Sequence, residues 1–470
     1  MKKLRTFGIA LLACALTLGA AACGDEKRGG KVERVDYNVE FDLPVSYSAE
    51  IRVIRPAREY EKKILDAAIA GFNEQYPNIT VKQDTLSIDS YNDAVFKPSQ
   101  AGILADLVWT DSSKYYFLVS NGIALNLDPF YEQATKARIF DYEKDFTEDF
   151  RSMAKFGDLT FAMPRSADSV VTFYNTEILM AAGVDLDPAT TKIKNGWSWD
   201  DFLEVCAKVR KYYDDEGHTN YYPIDANLNW ESVAYPIIKS FGGEVIDEDG
   251  NFALTASANE KITAFVKNLV DKRYVHLNND SASNFETGTG AMLFQSTSID
   301  QYQDTAGTRD KFDVVSFPLI NGENSSIGYG FAGYSLNAAL LKDQTKLNAS
   351  CAFLAYLMSR DGQQKIAKDG GLTLPSIRCD LSFETDDAEW HAAFRDPVTK
   401  QYNFNVEAYT YGSQYKTELG FLGNVAPEFS ADIVDALNSY VGKYAKERDA
   451  VTALRMFKEK VEDVFGSVVV

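Results

Sequence analysis

The order of apolar and polar positions predicts alternating strands and helices from about residue 50 onward. Short runs of alternating or continuous apolar residues are typical of strands, and apolar residues at helical spacing lie between them. The predicted strands are residues 50–54, 79–82 and 105–109, and the predicted helices are residues 59–76 and a helix that starts near Ser90. A strand–helix repeat of this kind predicts a parallel sheet with helices on its faces. Ligands bind such sheets at the carboxyl ends of strands, where Trp109 and Asp111 stand.

The same alternation continues to residue 359. Further strands are predicted at 159–163, 170–174, 291–295 and 313–317, and further helices at 175–182, 199–213, 229–241, 259–272 and 347–359. Ser198 is a plausible N-cap of the helix 199–213. Roughly 420 residues follow the first 47, which is more than one hydrophobic core usually includes, so two lobes are expected.

The N-terminus has the pattern of a secretory signal peptide. Basic residues at 2–5 precede an apolar stretch, 7–22, which ends in small residues directly before Cys23. The stretch is shorter than the ~20 apolar residues that span a bilayer. We therefore predict a signal segment over 1–22 and a mature chain that starts at Cys23.

Small residues before a cysteine resemble the bacterial lipobox, which implies that Cys23 carries lipid. The resemblance departs from the usual pattern because Ala20 stands where Leu is common. Cys14 follows Leu11-Leu12-Ala13, which fits the letters better but leaves too little apolar chain before it. An ordinary signal peptide is the alternative. Residues 24–47 show no apolar periodicity and are expected to form a flexible tether.

Composition excludes several classes of function. The chain carries 68 acidic and 48 basic residues, a net charge of -20. Nucleic-acid binding needs a basic surface, so no nucleic-acid partner is expected. The three histidines are isolated and no CxxC pair occurs, so neither a metal site nor a cofactor is expected. Cys206, Cys351 and Cys379 are expected to be buried free thiols, with a disulfide among them as the alternative.

Aromatic residues make up 13% of the chain, which suits a sugar-binding cleft as well as a large core. Sugar rings pack their C–H faces on aromatic side chains while polar groups bind their hydroxyls. Paired carboxylates are abundant only because acidic residues are abundant, and no Ser-His-Asp or metal spacing supports catalysis. The chain is therefore not expected to be an enzyme.

Several motifs, taken in their order along the chain, resemble those of a known family over residues 48–380. They are FNEQYPNITV at 72–81, ADLVW at 105–109, NGIALNL at 121–127, FYNTEIL at 173–179, WDDF at 199–202, FGG at 241–243 and GAM at 290–292. Together they resemble the extracellular solute-binding proteins of ABC importers, typified by maltose-binding protein. The resemblance implies an α/β fold of two lobes (type II), joined by a hinge, with a ligand cleft between them.

The resemblance also implies how the chain divides between the lobes. The N-terminal lobe is expected to hold residues 48–162 and about 321–358, and the C-terminal lobe about 163–320 and 359–470. The role of the region after about residue 380 is left open. Binding would close the lobes around the ligand because the ligand touches both.

Three candidate ligand contacts are expected in or near the first lobe. Trp109 would be an aromatic platform, or a core tryptophan. Asp111 would accept hydrogen bonds from sugar hydroxyls, or cap a helix. Arg165 follows Pro164 near the lobe crossing and would face the cleft, or form an ordinary salt bridge.

The other candidates lie in the second lobe and near the hinge. Tyr174 stands where the family often lays a ring on the ligand, and Asn229 and Trp230 open a predicted helix. Ser296 and Ser298 follow the GAM strand, where the aromatic often found in the family is lacking.

Tyr329 and Phe331 lie in the glycine-rich stretch 328–333, for which a ligand loop is expected. No GK[ST] follows, so this stretch is not a phosphate loop.

These expectations describe a monomeric, lipid-anchored protein outside the cytoplasm that captures a sugar or oligosaccharide for the membrane subunits of an ABC importer. The main alternative keeps the fold and changes the ligand to a peptide, polyamine, amino acid or metal chelate. A secreted glycan-active enzyme and a sensor or adhesin that has lost transport are further alternatives.

Overall fold

The computed structural model describes residues 32–465 apart from 89, 248–250, 276–282, 297–310, 321–324, 372–375, 382–384, 386–387, 393, 396–397, 399–403, 418, 420–421 and 423–429. The predicted signal segment, Cys23 and Ser298 lie outside the described residues.

Strands recur along the whole described chain. They are β1 (Ala49–Pro56), β2 (Ile79–Leu86), β3 (Leu107–Asp111), β4 (Lys155–Phe156), β5 (Leu159–Thr160), β6 (Met163–Ser169), β7 (Val171–Asn175), β8 (Ile224–Asp225), β9 (Met292–Gln295), β10 (Phe312–Ser316), β11 (Ile327–Leu336) and β12 (Lys416–Thr417).

Helices alternate with these strands and dominate the C-terminal part. They are α1 (Glu59–Gln75), α2 (Tyr91–Gln100), α3 (Tyr115–Ser120), α4 (Asp128–Lys136), α5 (Glu148–Met153), α6 (Thr176–Ala181), α7 (Trp199–Asp215), α8 (Glu231–Ser240), α9 (Ala256–Asp271), α10 (Ser283–Glu286), α11 (Gln344–Met358), α12 (Arg360–Gly370), α13 (Ala388–Ala392), α14 (Ala408–Tyr411), α15 (Ser430–Ser439), α16 (Ala445–Glu447) and α17 (Ala450–Phe465).

A capping motif in the sequence fixes the start of α7. Ser198 caps α7: its Oγ accepts from the backbone N–H of Asp201, and the Asp201 carboxylate accepts from the backbone N–H of Ser198 in return. This reciprocal arrangement satisfies two N–H groups that the helix itself leaves without a partner. The predicted N-cap is confirmed.

The first lobe is built on a sheet in the order β12-β11-β3-β1-β2, with β6 also paired to β11. Strands β1 and β2 are parallel, and so are β1 and β3, as the strand–helix repeat predicts. Strand β11 returns antiparallel to β3 and completes the lobe late in the chain. On one face, Phe72 of α1 packs edge-on against Phe353 of α11, with ring centroids 5.1 Å apart.

The second lobe has its own sheet in the order β10-β7-β9-β8. Trp199 is its aromatic centre, because the rings of Phe202, Phe265, Phe294 and Phe317 all meet it at steep angles. The C-terminal helices complete this lobe: the Tyr440 hydroxyl donates to Asn259 Oδ1 at 2.7 Å. Two separate sheets, each covered by helices, confirm the predicted two-lobed α/β fold.

The structure differs from the expected lobe boundaries at residues 163 and 359, because β6 (Met163–Ser169) pairs with β11 in the first-lobe sheet and a segment after 359 also packs there. Helix α12 packs on α1, where Gly370 lies against the backbone of Ile64. Further along, the backbone N–H of Thr147 donates to the Ile377 carbonyl at 3.1 Å, and that of Cys379 donates to the Asp145 carbonyl at 2.9 Å. Residues 360–370 and 376–381 therefore belong to the first lobe. A local sequence pattern carries no information on which lobe a segment packs against.

Residues 32–47, here called the N-terminal strap, also depart from expectation. The backbone N–H of Val35 donates to Asn126 Oδ1 at 3.0 Å, and the Tyr37 hydroxyl donates to the Asn126 carbonyl at 2.9 Å. Phe41 and Leu43 are buried against the lobe. This part of the predicted tether is thus fixed to the first lobe, because two apolar side chains and paired backbone groups outweigh its polar composition.

Cys206 and Cys351 are buried free thiols as expected, whereas Cys379 is a free thiol at the surface and not buried as expected. None of the helices in the described ranges combines the length and apolar character needed to cross a membrane.

A buried carboxyl group in the second lobe makes stability depend on pH. Asp225 of β8 is only 6% exposed and accepts hydrogen bonds from the backbone N–H of Phe285 at 2.8 Å and from Asn284 Nδ2 at 3.1 Å. Burial outweighs these bonds and raises the pKa of Asp225 to about 6. The folded state therefore favours the protonated form of Asp225. The contribution of this group to the free energy of unfolding is fully present below about pH 4 and is lost as the pH rises through about 6.

We predict that the free energy of unfolding falls by about 2–3 kcal/mol between pH 4 and pH 6.5 relative to that of Asp225→Asn. Urea unfolding of both proteins across this range measures the difference. Asp200→Asn, at an exposed position of α7, is the matched control and should follow the unmodified chain. A constant difference between the unmodified chain and Asp225→Asn would contradict the prediction.

Candidate functional site

A cleft of about 510 Å³ lies between the two lobes. Its first-lobe wall comes from the starts of α2 and α3, and its second-lobe wall from the start of α8 and one side of α15. The lining residues are Ile88, Ser90, Tyr91, Asn92, Asp93, Ser113, Lys114, Phe117, Glu231, Ala431, Val434, Asp435 and Asn438. We call this space the interlobe cleft.

Asp111 organises the turn that brings Lys114 into the cleft. Its Oδ1 accepts from the backbone N–H of Ser113 at 2.9 Å and from that of Lys114 at 3.0 Å, and its Oδ2 accepts from Lys114 Nζ at 2.8 Å. Burial alone would raise the pKa of Asp111, but the Lys114 charge and these hydrogen bonds hold it below its usual value. Both groups are therefore charged. Asp111 thus accepts from backbone N–H groups just before α3, which resembles the expected helix-capping alternative. Lys114 is the side chain that faces the cleft.

Glu231 and Asn438 form the polar part of the opposite wall. Glu231 is the first residue of α8, and its Oε2 accepts from Asn438 Nδ2 of α15 at 3.3 Å. Burial lowers the pKa of Lys114, but the carboxylates of Asp111 and Glu231 raise it above its usual value overall. The cleft thus places Lys114 of the first lobe opposite Glu231 of the second, while the other two lining carboxylates, Asp93 and Asp435, are paired with Lys97 and Lys460.

Trp230 and Asn229 lie at the edge of this wall. Trp230 directly precedes Glu231, is half-buried and packs on the core. Asn229 is exposed, and its side chain lies so close to Gly442 that a Cβ atom there would stand 1.5 Å from Asn229 Oδ1. None of the predicted site residues that the structure describes lines the cleft; Asp111 binds the lining residues Ser113 and Lys114, and Asn229 and Trp230 precede Glu231 in the chain.

Three other predicted contacts pack within their own lobes in this conformation. Trp109 is 4% exposed, and its ring lies edge-on to that of Tyr91 at 6.4 Å, which corresponds to the core alternative. The Tyr174 hydroxyl donates to Asp313 Oδ2 at 3.3 Å on the neighbouring strand. Ser296 is buried at the end of β9.

The glycine-rich stretch forms strand β11 rather than the expected loop. Tyr329 and Phe331 are both buried in it, and the Tyr329 hydroxyl donates to Asp149 Oδ2 at 2.8 Å. A Cβ atom at Gly328 would lie 1.8 Å from the Ser232 carbonyl oxygen of α8. The close approach that the glycines permit is therefore made by the protein's own backbone.

Arg165 adopts the salt-bridge alternative. Its Nη2 donates to Glu61 Oε1 at 3.0 Å and its Nη1 donates to the other oxygen of the same carboxylate. The two side chains are only 3% and 1% exposed. Glu61 engages both terminal nitrogens inside the first lobe, so Arg165 does not reach the interlobe cleft in this conformation.

Lys114, Glu231 and Asn438 were not among the predicted contacts. Lys114 had a signal, because it stands three residues after Asp111, at the start of a helix that follows a strand end. Asn438 had none, since it lies in the region after residue 380 that matched no motif. Within the residues that the structure describes, no group of three or more His, Cys, Asp or Glu side chains is placed to hold a metal ion.

Comparison with known proteins agrees with this architecture. The sequence profile of the family described as bacterial extracellular solute-binding protein matches residues 67–392. The match covers more than half of the chain, which therefore belongs to this family of extracytoplasmic proteins.

One curated relative is an arabinooligosaccharide-binding protein of Halalkalibacterium halodurans, 23% identical over 225 residues, which are 45% of this chain and 43% of the relative. The chain thus spans less than half the length of the curated relative it matches.

Solved structures of similar fold each cover 89% of this chain and 99% of their own, at 18% identity. They are the GacH receptor of Streptomyces glaucescens, studied unliganded and with acarbose (TM-score 0.67), a Listeria monocytogenes ABC substrate-binding protein with cycloalternan (0.68), and UgpB of Mycobacterium tuberculosis with glycerophosphocholine (0.71).

We predict that Arg165→Met lowers the free energy of unfolding by about 3–5 kcal/mol, because it leaves the Glu61 carboxylate buried without its counter-charge. Arg34→Met is the matched control, since it breaks a pair with Glu132 whose side chains are 38% and 49% exposed and should change stability little. Chemical denaturation of both variants gives the comparison. Equal small losses would show that the buried pair is not needed for stability, and a partial recovery in the Arg165→Met, Glu61→Leu double variant would support the proposed cause.

Proposed function

We propose that this protein captures an oligosaccharide in the interlobe cleft and delivers it to the membrane subunits of an ABC importer. The observation that carries the proposal is a cleft whose walls come from both lobes, in a chain that belongs to a family of extracellular solute-binding proteins. The protein would act as a binder, because capture and release require no bond to be made or broken.

The chemistry of the cleft supports a sugar ligand. Phe117 gives aromatic surface on the first-lobe wall beside the almost fully buried Tyr91, and Trp230 directly precedes Glu231 of the second wall. Asn92 and Asn438 add amide groups that can donate to and accept from hydroxyls. Aromatic surface beside amide and hydroxyl groups matches the two faces of a sugar ring. The arabinooligosaccharide-binding relative and the structures with acarbose and cycloalternan support the same ligand class.

Ligand capture would favour a closed arrangement. A ligand between the two walls contacts α3 on one lobe and α8 and α15 on the other, so it binds the closed form better than the open one. The importer would recognise that form.

A zwitterionic solute is the second candidate. UgpB of Mycobacterium tuberculosis was solved with glycerophosphocholine, and its fold matches this chain with a TM-score of 0.71. A phosphate would meet Lys114 and a quaternary ammonium would meet Glu231 across the cleft.

We predict that the chain from residue 24 shows a raised unfolding midpoint with an arabinooligosaccharide or maltotriose. A ligand that binds only the folded state adds about 2.7 kcal/mol at a hundredfold excess over its dissociation constant. Trp230→Ala should abolish the shift, because it removes the aromatic surface at the cleft edge. Tyr212→Ala is the matched control on α7, away from the cleft, and should retain it.

A shift with glycerophosphocholine alone would support the zwitterionic candidate. A shift with maltotriose that survives Trp230→Ala would keep the ligand class and remove Trp230 from the site.

The proposed anchor is lipid on Cys23. Because the N-terminal strap lies against the first lobe, only residues 24–31 separate Cys23 from a fixed part of the structure. These residues span at most about 28 Å when fully extended. The first lobe would therefore stay close to the membrane surface.

We predict that Cys23→Ser moves the full-length chain, expressed in a bacterial host, from the detergent phase to the aqueous phase in Triton X-114 partitioning. Loss of the acyl chains removes the only proposed hydrophobic anchor. Cys14→Ser is the matched control and should leave partitioning unchanged. The reverse result would place the lipid on Cys14, and no change in either variant would contradict lipid anchoring.

A further inference from the structure

Lys114 and Glu231 face each other across the interlobe cleft, and each belongs to a different lobe. Lys114 directly precedes α3 in the first lobe, and Glu231 begins α8 in the second. Both line the same cleft. Opposite charges on two bodies that move relative to one another attract most strongly when the bodies close.

The Lys114 ammonium is held in place but not saturated. Its Nζ donates to Asp111 Oδ2 at 2.8 Å and to Ser113 Oγ at 3.2 Å, both within its own turn. An ammonium group has three donors, so these two bonds leave one hydrogen for the cleft. The Lys114 side chain is 22% exposed, which lets a ligand reach it while Asp111 limits its motion.

The opposite wall offers acceptors. Asn438 Nδ2 donates to Glu231 Oε2 at 3.3 Å. This bond orients the amide, with its nitrogen toward Glu231 and its oxygen on the other side. Asn438 Oδ1 is buried and has no hydrogen-bond partner among the described residues. A buried acceptor without a donor is costly, so this oxygen gains from a ligand hydroxyl that reaches it when the lobes move.

We infer that Lys114, Glu231 and Asn438 form a polar clamp that joins the lobes through hydroxyl groups of the ligand. The inference rests on the proposed function, because it assigns the part of the same cleft that grips the ligand. The Lys114 ammonium donates to a hydroxyl oxygen, and the Glu231 carboxylate and Asn438 Oδ1 accept from hydroxyl hydrogens. Without ligand, the Lys114–Glu231 attraction draws the lobes together.

The clamp selects ligands with neighbouring hydroxyls over ligands that carry only a negative or only a positive charge. A hydroxyl both donates and accepts, so one diol satisfies the ammonium and the two acceptors together. A carboxylate cannot donate to Glu231 and is repelled by it, and a simple ammonium cannot accept from Lys114. This geometry therefore favours an uncharged polyol over a simple anion or a simple cation.

The test compares Lys114→Met, Glu231→Gln and the double variant in the chain from residue 24. Isothermal titration with an arabinooligosaccharide and with maltotriose should show about 10- to 100-fold weaker binding for each single variant, as for the loss of one charged hydrogen bond. The double variant should be far less impaired than the product of the two, because both groups hold the same part of the ligand. Lys62→Met is the matched control: it removes an exposed charge of α1 that pairs with Asp66, and neither residue lines the cleft.

A second measurement needs no ligand. Spin labels on Cys379 and on an introduced Lys211→Cys, both at the surface and one in each lobe, report the distance between the lobes. Lys114→Met and Glu231→Gln should each lengthen this distance, and 0.5 M salt should lengthen it in the unmodified chain but not in the variants.

The outcomes separate this inference from the proposed function. If a sugar binds the unmodified chain and both variants equally, the clamp is overturned and sugar capture stands. If neither sugar binds the unmodified chain, the proposed ligand class is overturned, and the ligand-free distance decides on the clamp. An unchanged distance in the variants then overturns it, and a longer one supports it.

Discussion

Strand β11 packs so closely on its neighbours that no side chain fits at three of its positions. A Cβ atom would stand 1.8 Å from the Ser232 carbonyl oxygen at Gly328, 2.4 Å from Ser112 Oγ at Gly330 and 2.0 Å from the Met163 carbonyl oxygen at Gly333. These contacts join β11 to α8 of the second lobe, to the turn after β3 and to β6. The same strand thus ties the first-lobe sheet, the cleft-forming turn and the second lobe together. Both walls of the interlobe cleft are placed relative to this strand.

Two ion pairs in the first lobe show how burial separates structure from function. Arg165 and Glu61 are almost fully enclosed and bind each other through two hydrogen bonds, so their charges are used within the lobe. Asp111 and Lys114 form a similar pair but are 23% and 22% exposed at the end of β3. There the Asp111 carboxylate accepts hydrogen bonds from the turn, and part of the Lys114 ammonium stays accessible. The exposed pair, rather than the enclosed one, is therefore suited to meet a ligand.

The region after residue 380 contributes more to the cleft than its lack of recognisable motifs suggests. Helix α15 supplies Val434 and Asn438 to the second-lobe wall. Strand β12 adds to the first-lobe sheet beside β11, and Lys416 on it contacts Asp149 of α5. This C-terminal region thus touches both lobes. Such contacts restrain how the lobes can move about β11.

The sequence by itself determined many of the strands and helices before residue 359, the parallel pairing of β1 with β2 and β3 and the Ser198 cap, since these follow from local periodicity and capping chemistry. The two-lobed class followed from chain length and family resemblance. None of the predicted site residues within the described ranges lines the cleft, although Asp111, Asn229 and Trp230 adjoin residues that do. Tertiary structure alone decided that α12 and the N-terminal strap join the first lobe, that Arg165 pairs with Glu61, and that Lys114 faces Glu231 and Asn438. The reason is physical: these contacts join residues far apart in the chain, and no local pattern records which distant partner a charged or amide side chain will meet.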